Sequence, residues 1–401
     1  MKYFFLLGNN PTLSMAEISA FFDLGDKTKG EIISILKKED LCIIDFKEKI
    51  NPEKIIKKLG GIIKIGEILE EVNNFDKYRI FKKIINNIKI NNIEGKFKFG
   101  ISHYGHKNIQ IKKIGIKIKK YLKENNVNSR FVISREKNLS SVIVEQNKLI
   151  KKGLEIVLIE KDKTFLIGKT LAVQPFKELS KRDYGRPARD DKSGMLPPKL
   201  AQIMINLSKC DKRGIILDPF CGSGTVISEG LLMGYKNIIG SDISKKAIKD
   251  SIQNIEWIKK TFNTKNLNFK LENIDSQELS SVFLKNSIDA VITEPYLGPQ
   301  RGKINVTKTI KELENLYSKT LGEVKKILNT NGTIVMVWPI FNIEKKIYNI
   351  NPNIKFFKII NPILKIFQNN KSIKLTNRNT IIYRREGQRI WREIVIMKLK
   401  N

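Results

Sequence analysis

The chain has 401 residues, 41% of them hydrophobic and 29% charged, which excludes a disordered protein and, at roughly 150 residues per domain, implies two or three domains. Lys+Arg number 74 against 41 Asp+Glu, a formal net charge of +33; this favours a polyanionic partner, although lysine, isoleucine and asparagine share AT-rich codons and a genomic bias raises the same count. No apolar run reaches the 18 residues of a membrane span, MKYFFLLGNN lacks the apolar stretch of a secretory signal, and three scattered cysteines with two histidines make neither a disulfide framework nor a zinc spacing, so a reducing cytoplasm and no metal are expected.

Residues 1–70 read as a small α/β unit. A strand at 3–7 precedes a helix at 14–22, with Ser14 as N-cap and Glu17 as its capping-box partner. A strand at 41–46, a helix at 52–59 stopped by Gly60-Gly61 and a strand at 62–69 follow. Residues 71–175 read as a second unit. It has a strand at 97–103 and a helix at 109–125. On that helix Ile114, Ile118, Tyr121 and Leu122 face inward, while Lys112, Lys113, Lys117, Lys119, Lys120 and Lys123 crowd the remainder. Such a face is either an RNA-backbone contact or solvated surface. Strands are expected at 129–133 and 141–145, then a hairpin of 154–159 with 164–173 around Glu160-Lys161-Asp162-Lys163. His103 and His106 have no third ligand nearby in sequence and read as ordinary residues.

Residues 176–196 are rich in Arg, Asp, Gly and Pro and read as a linker. From 197 to 401 helix and strand alternate: helices at 198–208, 224–234, 245–260, 276–285 and 308–329, and strands at 214–218, 237–242, 267–272, 288–293 and 332–338. An antiparallel hairpin of 380–383 with 390–398 closes the chain. This alternation predicts a mostly parallel sheet covered on both faces.

The chemistry concentrates at four strand ends. The first runs into Asp218-Pro219-Phe220-Cys221-Gly222-Ser223-Gly224-Thr225, an acid, a glycine turn and a helix start whose free N–H groups face a ligand. The second ends in Asp242, an acceptor for two ribose hydroxyls; the third is followed by Asp275, suited to an adenine amino group. The fourth ends in Thr293-Glu294-Pro295-Tyr296. Ile227 stands where a dinucleotide fingerprint needs its third glycine, and no P-loop string occurs. Asp218 repels a pyrophosphate and suits a ligand carrying an ammonium or sulfonium. Taken alone, the glycine pair reads better as a plain turn and Asp242 as a helix cap; four acidic strand ends in register do not. Cys221, inside the loop, and Trp257, on the next helix, read as packing residues.

The strings DPFCGSGT and IIGSD resemble the S-adenosylmethionine pocket of class I methyltransferases. The stretch Arg182-Asp183-Tyr184-Gly185-Arg186-Pro187 through Gly194-Met195-Leu196-Pro197-Pro198-Lys199-Leu200-Ala201 is similar to the entry of the catalytic domain in tRNA guanine-2-amino methyltransferases of the Trm-eleven type. Leu59-Gly60-Gly61-Ile62-Ile63-Lys64-Ile65 resembles the end of their N-terminal domain. The resemblance implies a Rossmann-like class I methyltransferase domain with an antiparallel C-terminal hairpin, preceded by ferredoxin-like and THUMP-like RNA-binding domains. It implies S-adenosyl-L-methionine as cofactor, held by Asp218, Phe220, Gly222, Gly224, Asp242, Ile243 and Asp275. Tyr296 would stack on a flipped base while Glu294 and Pro295 hold the amine. Lys112, Lys113, Lys117 and Lys120 would meet the tRNA backbone. Amino-methylating relatives carry Asp or Asn, two prolines and an aromatic residue; here Glu294 and a single proline precede Tyr296. A DNA methylase acting on adenine or cytosine, and a non-catalytic RNA-binding protein, are the alternative readings.

Overall fold

The computed structural model describes residues 1–400 apart from 25–29, 37–39, 74–76, 89, 91, 92, 94, 162, 163, 190–193, 265–267, 301, 303 and 368–371. The tip of the expected hairpin at 162–163, part of the 176–196 stretch and residue 267 therefore lie outside the described residues. In chain order the elements run β1 (Lys2–Leu7), α1 (Pro11–Phe21), β2 (Gly30–Leu36), β3 (Leu41–Phe46), α2 (Pro52–Ile56), β4 (Ile62–Asn73), α3 (Lys77–Asn86), β5 (Phe97–Tyr104), α4 (Ile111–Glu124), β6 (Ser129–Val132), α5 (Ser141–Gln146), β7 (Gly153–Lys161) and β8 (Thr164–Val173). They continue with α6 (Phe176–Tyr184), α7 (Pro198–Leu207), β9 (Ile215–Asp218), α8 (Thr225–Leu232), β10 (Asn237–Ser241), α9 (Lys245–Phe262), β11 (Phe269–Glu272), β12 (Ile288–Thr293), α10 (Val306–Ile327), β13 (Leu328–Ile343), β14 (Lys346–Asn349), β15 (Phe357–Ile359), β16 (Ile381–Tyr383) and β17 (Ile390–Leu399).

The chain divides into two compact units. The first holds residues 1–9, 26–57 and 62–175; the second holds 10–25, 58–61 and 176–401. The first is built on one eight-stranded sheet, β2-β3-β1-β4-β8-β7-β5-β6. The boundary expected at 70/71 falls inside β4, which pairs with β1 on one side and β8 on the other. Strand β7 is apolar on both faces. Ile156 and Leu158 pack with Ile80, Ile84, Ile114, Ile118 and Leu122 of α3 and α4, while Val157 and Ile159 pack with Phe4, Leu41 and Ile43. Crossing this sheet is a buried polar cluster. The Lys64 ammonium lies 2.7 Å from the Glu155 carboxylate, which also accepts from the Ser102 and Thr170 hydroxyls at 2.6 Å each. The segment 141–145 is helical rather than a strand, because the Ser140 hydroxyl caps it by accepting from the Ile143 amide.

The second unit carries a nine-stranded sheet with the path β11-β10-β9-β12-β13-β17-β15. Its first five strands are parallel; β17, β15, β14 and β16 add antiparallel pairings. The C-terminal hairpin forms as β16 with β17. The stretch read as a linker instead contains α6, whose Arg182 is buried against Glu229 of α8 and donates to it from Nε at 2.6 Å. The helix expected at 276–285 shrinks to a single 3₁₀ turn at Leu279–Ser281. Ser281 and Ser287 there bond the Glu278 and Leu284 carbonyls locally, competing with helical pairing.

Helix α1 packs in this second unit and starts earlier than expected. Its N-cap is Asn10, which accepts from the Leu13 amide at 3.0 Å, with Pro11 in the first turn. Ser14 and Glu17 form no capping box. Ser14 donates to the Gly61 carbonyl, and the fully buried Glu17 accepts from the Gly60 and Gly61 amides and the Asn206 side chain, each at 2.8 Å. Burial pushes the Glu17 carboxyl up to about 7 against these donors. Gly60 is needed because a Cβ there would sit 2.0 Å from the Lys199 carbonyl oxygen.

Candidate active site

The parallel strand order reverses between β9 and β12, the place where open α/β sheets bind ligands at their carboxyl ends. A cleft of about 480 Å³ opens there, within the range of small-molecule sites. It is lined by every expected cofactor residue (Asp218, Phe220, Gly222, Asp242, Ile243 and Asp275) except Gly224. Glu294, Pro295 and Tyr296 line it too.

The glycine turn is held by named bonds. The Cys221 amide donates to the Ser241 carbonyl and the Gly224 amide to the Cys221 carbonyl. Gly222 and Gly224 both have left-handed φ, +50° and +80°; at Gly222 no atom lies within 4 Å of a would-be Cβ, so the backbone is open to close approach. From α9, Ser251 donates to the Gly222 carbonyl at 2.8 Å and Asn254 to the Ser223 carbonyl at 2.8 Å. Asp242 accepts from the Gly222 amide at 3.0 Å and the Ser244 amide at 2.9 Å, so it braces the loop while keeping lone pairs toward the cleft. Ile243 is exposed on the cleft rim. Asp275, half-buried, accepts from the Gln277 amide. Cys221 is buried with its thiol pushed far up by burial, so it is inert and packs.

Asp218 is buried beneath this loop. The Thr293 hydroxyl donates to it at 2.7 Å and the Phe220 amide at 3.2 Å. Burial pushes its carboxyl up to about 7; the two donors pull it down, and the neighbouring Asp242 and Glu294 push it up again. The Thr293–Asp218 bond ties the ends of β12 and β9 together across the reversal.

Glu294 has a partner that the sequence does not announce. Its carboxylate is gripped by Arg392 of β17: Nη2 donates at 3.0 Å to one oxygen and Nε to the other, with both side chains 10% exposed. Burial opposes the charge on Arg392, yet Glu294 holds its pKa above the ordinary arginine value. Pro295 is buried and Tyr296 is 51% exposed, its carbonyl accepting from the buried Tyr317 hydroxyl at 2.8 Å. Sequence reasoning named Thr293 without giving it a role and missed Arg392. Thr293 adjoins the motif and its role was findable. Arg392 lies 98 residues away with no pattern to mark it.

The lysines of α4 belong to the first unit. Lys112, Lys113, Lys117 and Lys120 are all exposed, on the side of the helix opposite the buried Ile114, Ile118 and Leu122, and share it with an exposed Ile116. Trp257 is half-buried, its ring edge-on to Phe262. His103 is buried, and burial lowers it to about 4. Among the described residues no group of three or more His, Cys, Asp or Glu is placed to hold a metal ion.

A methyltransferase-domain family described as RMKL-like matches residues 186–352, and a DNA methylase family matches residues 17–254. Glu294 to Tyr296 fall inside the first match and outside the second. A tRNA (guanine(10)-N2)-dimethyltransferase of Methanocaldococcus jannaschii is 25% identical over 305 residues, covering 72% of this chain and 79% of its own. A Methanothermococcus thermolithotrophicus protein named "Probable tRNA (guanine(10)-N2)-dimethyltransferase" is 31% identical over 126 residues, covering 30% of this chain and 74% of that one. Among solved structures, TrmN from Thermus thermophilus aligns over 100% of both chains at 12% identity with a TM-score of 0.56, a likeness of fold.

Proposed function

This chain belongs to the family of tRNA (guanine-N2) methyltransferases, and from that premise we propose that it transfers a methyl group to the exocyclic 2-amino group of a guanosine in tRNA. The methyl donor of this family is S-adenosylmethionine, which supplies an electrophilic methyl on a sulfonium centre. The observation that carries the reading is the cleft itself: three acidic strand ends around an open glycine turn, facing Glu294-Pro295-Tyr296 across one strand reversal. The donor set fits this cofactor. Asp242 supplies acceptors for ribose hydroxyls, Asp275 an acceptor for an adenine amine, and Asp218 a carboxylate for a cationic group. Phe220 and Ile243 offer apolar surface.

An exocyclic amine is a weak nucleophile because its lone pair is delocalised into the ring. Glu294, fixed by Arg392, accepts one amine hydrogen, and the Pro295 segment fixes the turn, so the lone pair is aimed at the methyl. Tyr296, half exposed, stacks on the base once it leaves the helix stack. In the first unit Lys112, Lys113, Lys117 and Lys120 contact tRNA phosphates, which positions the RNA without reading its sequence. The RNA-capturing half is then the first unit, residues 1–9, 26–57 and 62–175, with the ferredoxin-like strands before residue 71 and the THUMP-like part from 71 to 175. No described helix is long and apolar enough to cross a membrane, and a cytoplasmic site of action is part of the proposal.

The DNA methylase match keeps a second substrate in play. Methyl transfer from labelled cofactor, offered total tRNA and genomic DNA in parallel, tests both. Label in tRNA that digests to N2-methylguanosine is expected; label in DNA alone, or in neither, overturns the reading. Glu294→Gln should keep cofactor binding and lose about 10²-fold or more in single-turnover rate.

A further inference from the structure

Strand β13 does not stop at the active-site edge. Thr293, the last residue of β12, pairs with Met336, so Glu294 lies level with Val337. The strand runs on to Ile343, six residues or about 20 Å farther. Past the end of β12 its free edge is taken by β14, from Ile340↔Asn349 to Ile343↔Lys346. The other edge is held by β17, up to Phe341↔Ile390. Two turns therefore project together from the cofactor end of the sheet. One is Glu344-Lys345, both with left-handed φ, and the other joins β16 to β17. They stand beside the substrate motif: a Cβ on Gly298 would lie 3.2 Å from the Phe341 ring, and Arg389 donates to the Gly302 carbonyl at 2.9 Å.

The two turns are basic. Lys345, Lys346, Arg384, Arg385 and Arg389 are exposed there, against Glu344 and Glu386. Lys345 and Lys346 have no partner among the described residues. Ile347 and Tyr348 are exposed beside them, 54% and 38%, and Arg384 lies over the Trp391 ring at 4.5 Å. A cluster of cations with apolar and aromatic surface, on a rigid strand pair next to the substrate cleft, is the complement of a phosphodiester backbone with accessible bases. The Lys345 and Lys346 charges serve no packing contact among the described residues, whereas Arg384, Arg385 and Arg389 also make local contacts, to Trp391, Tyr383 and Gly302.

We propose that the β13–β14 turn and the β16–β17 turn together form a second tRNA-contact surface, separate from α4, that grips the backbone flanking the target guanosine; this rests on the proposed tRNA methylation. A charged clamp here would hold the strand while the base is out of its stack, and would make recognition depend on both units.

The test is steady-state methylation of tRNA across a salt series by the full-length protein, wild type and Lys345→Gln/Lys346→Gln. Both lysines are exposed, and an unchanged thermal melt would show the fold intact. The expected result is a KM for tRNA raised about tenfold, a dependence on log salt flatter by about two units, and cofactor affinity within twofold. Lys345→Glu/Lys346→Glu should raise KM further. A wild type that methylates tRNA, with variants that keep its KM and salt slope, overturns the surface alone. A wild type that methylates no tRNA overturns the functional reading beneath it.

Discussion

On the proposed reading, in which Glu294 stands where amino-methylating relatives carry Asp or Asn, Arg392 accounts for the longer side chain. The extra methylene of Glu294 would leave its carboxylate more than an ångström off line and free to turn. The guanidinium fork removes that freedom by holding both oxygens. Alternation along β17 makes this possible: Arg392 faces Glu294, while the next residue, Glu393, turns to the other side and pairs with Arg378 and Thr380. Arg392→Gln should therefore lower the single-turnover rate about 10²-fold through misplacement of Glu294 while cofactor affinity holds. Arg392→Lys should recover only part, since an ammonium cannot make the fork; a full recovery in the lysine variant would mean charge alone suffices. Asp218 makes a prediction in pH. With its free-protein pKa near 7, it carries a proton below that value, and a cationic ligand must displace the proton to bind. Cofactor affinity should weaken about tenfold per unit as pH falls below about 7 and level off above it. The same shift means that this group's contribution to folding declines as pH rises from about 4 to about 7. Titration calorimetry at pH 6 and 8 reads the effect, and Asp218→Asn should abolish the slope; a flat wild-type profile would remove Asp218 from the cation's neighbourhood.

At the scale of elements, α1 decides what can be separated. Although it lies near the start of the chain, its Leu13, Met15, Ala16 and Ile18 are buried, and it packs in the second unit against α7. Burying such side chains contributes about 1.5–3 kcal/mol for each large one, comparable in sum to a domain's whole stability. Asn206 of α7 would also lose Glu17 and the Lys58 carbonyl, its two acceptors. A fragment beginning at residue 176 should thus lack a cooperative melt and bind cofactor weakly or not at all, although it contains every cleft residue. Full-chain affinity in that fragment would show that α1 is dispensable. The capping-box reading failed here for a physical reason. Ser14 and Glu17 have the right spacing, but Asn10-Pro11 offers an earlier start, and the Gly60-Gly61 amides claim the glutamate.

Over the whole molecule, what the sequence disclosed was local. Four of the five parallel strands of the second unit, β9 to β12, end in turns whose chemistry is written in adjacent residues, so Asp218, Gly222 and Asp242 could be placed at the cleft without coordinates. Tertiary facts were not legible: that Arg392 reaches Glu294, that α1 crosses into the other unit, and that β4 carries on past residue 70 to join two regions in one sheet. The stretch Leu59 to Ile65, which resembles the end of a family's N-terminal domain, suggested a division just after it, whereas β4's two neighbours in the sheet, β1 and β8, are far apart in the chain. The buried Lys64–Glu155 cluster tests whether the sheet behaves as one body. Its members lie on β4, β5, β7 and β8, and Lys64 also donates to the Leu139 carbonyl at 2.6 Å. Lys64→Met leaves Glu155 buried without its cation, a loss of about 3–5 kcal/mol. If the sheet is one cooperative unit, amide hydrogen exchange should speed up together in β1 and β3 on one side and in β5 and β7 on the other. Loss of protection confined to residues beyond 73 would mean that the expected division near residue 70 is energetically real even though the hydrogen bonds run across it.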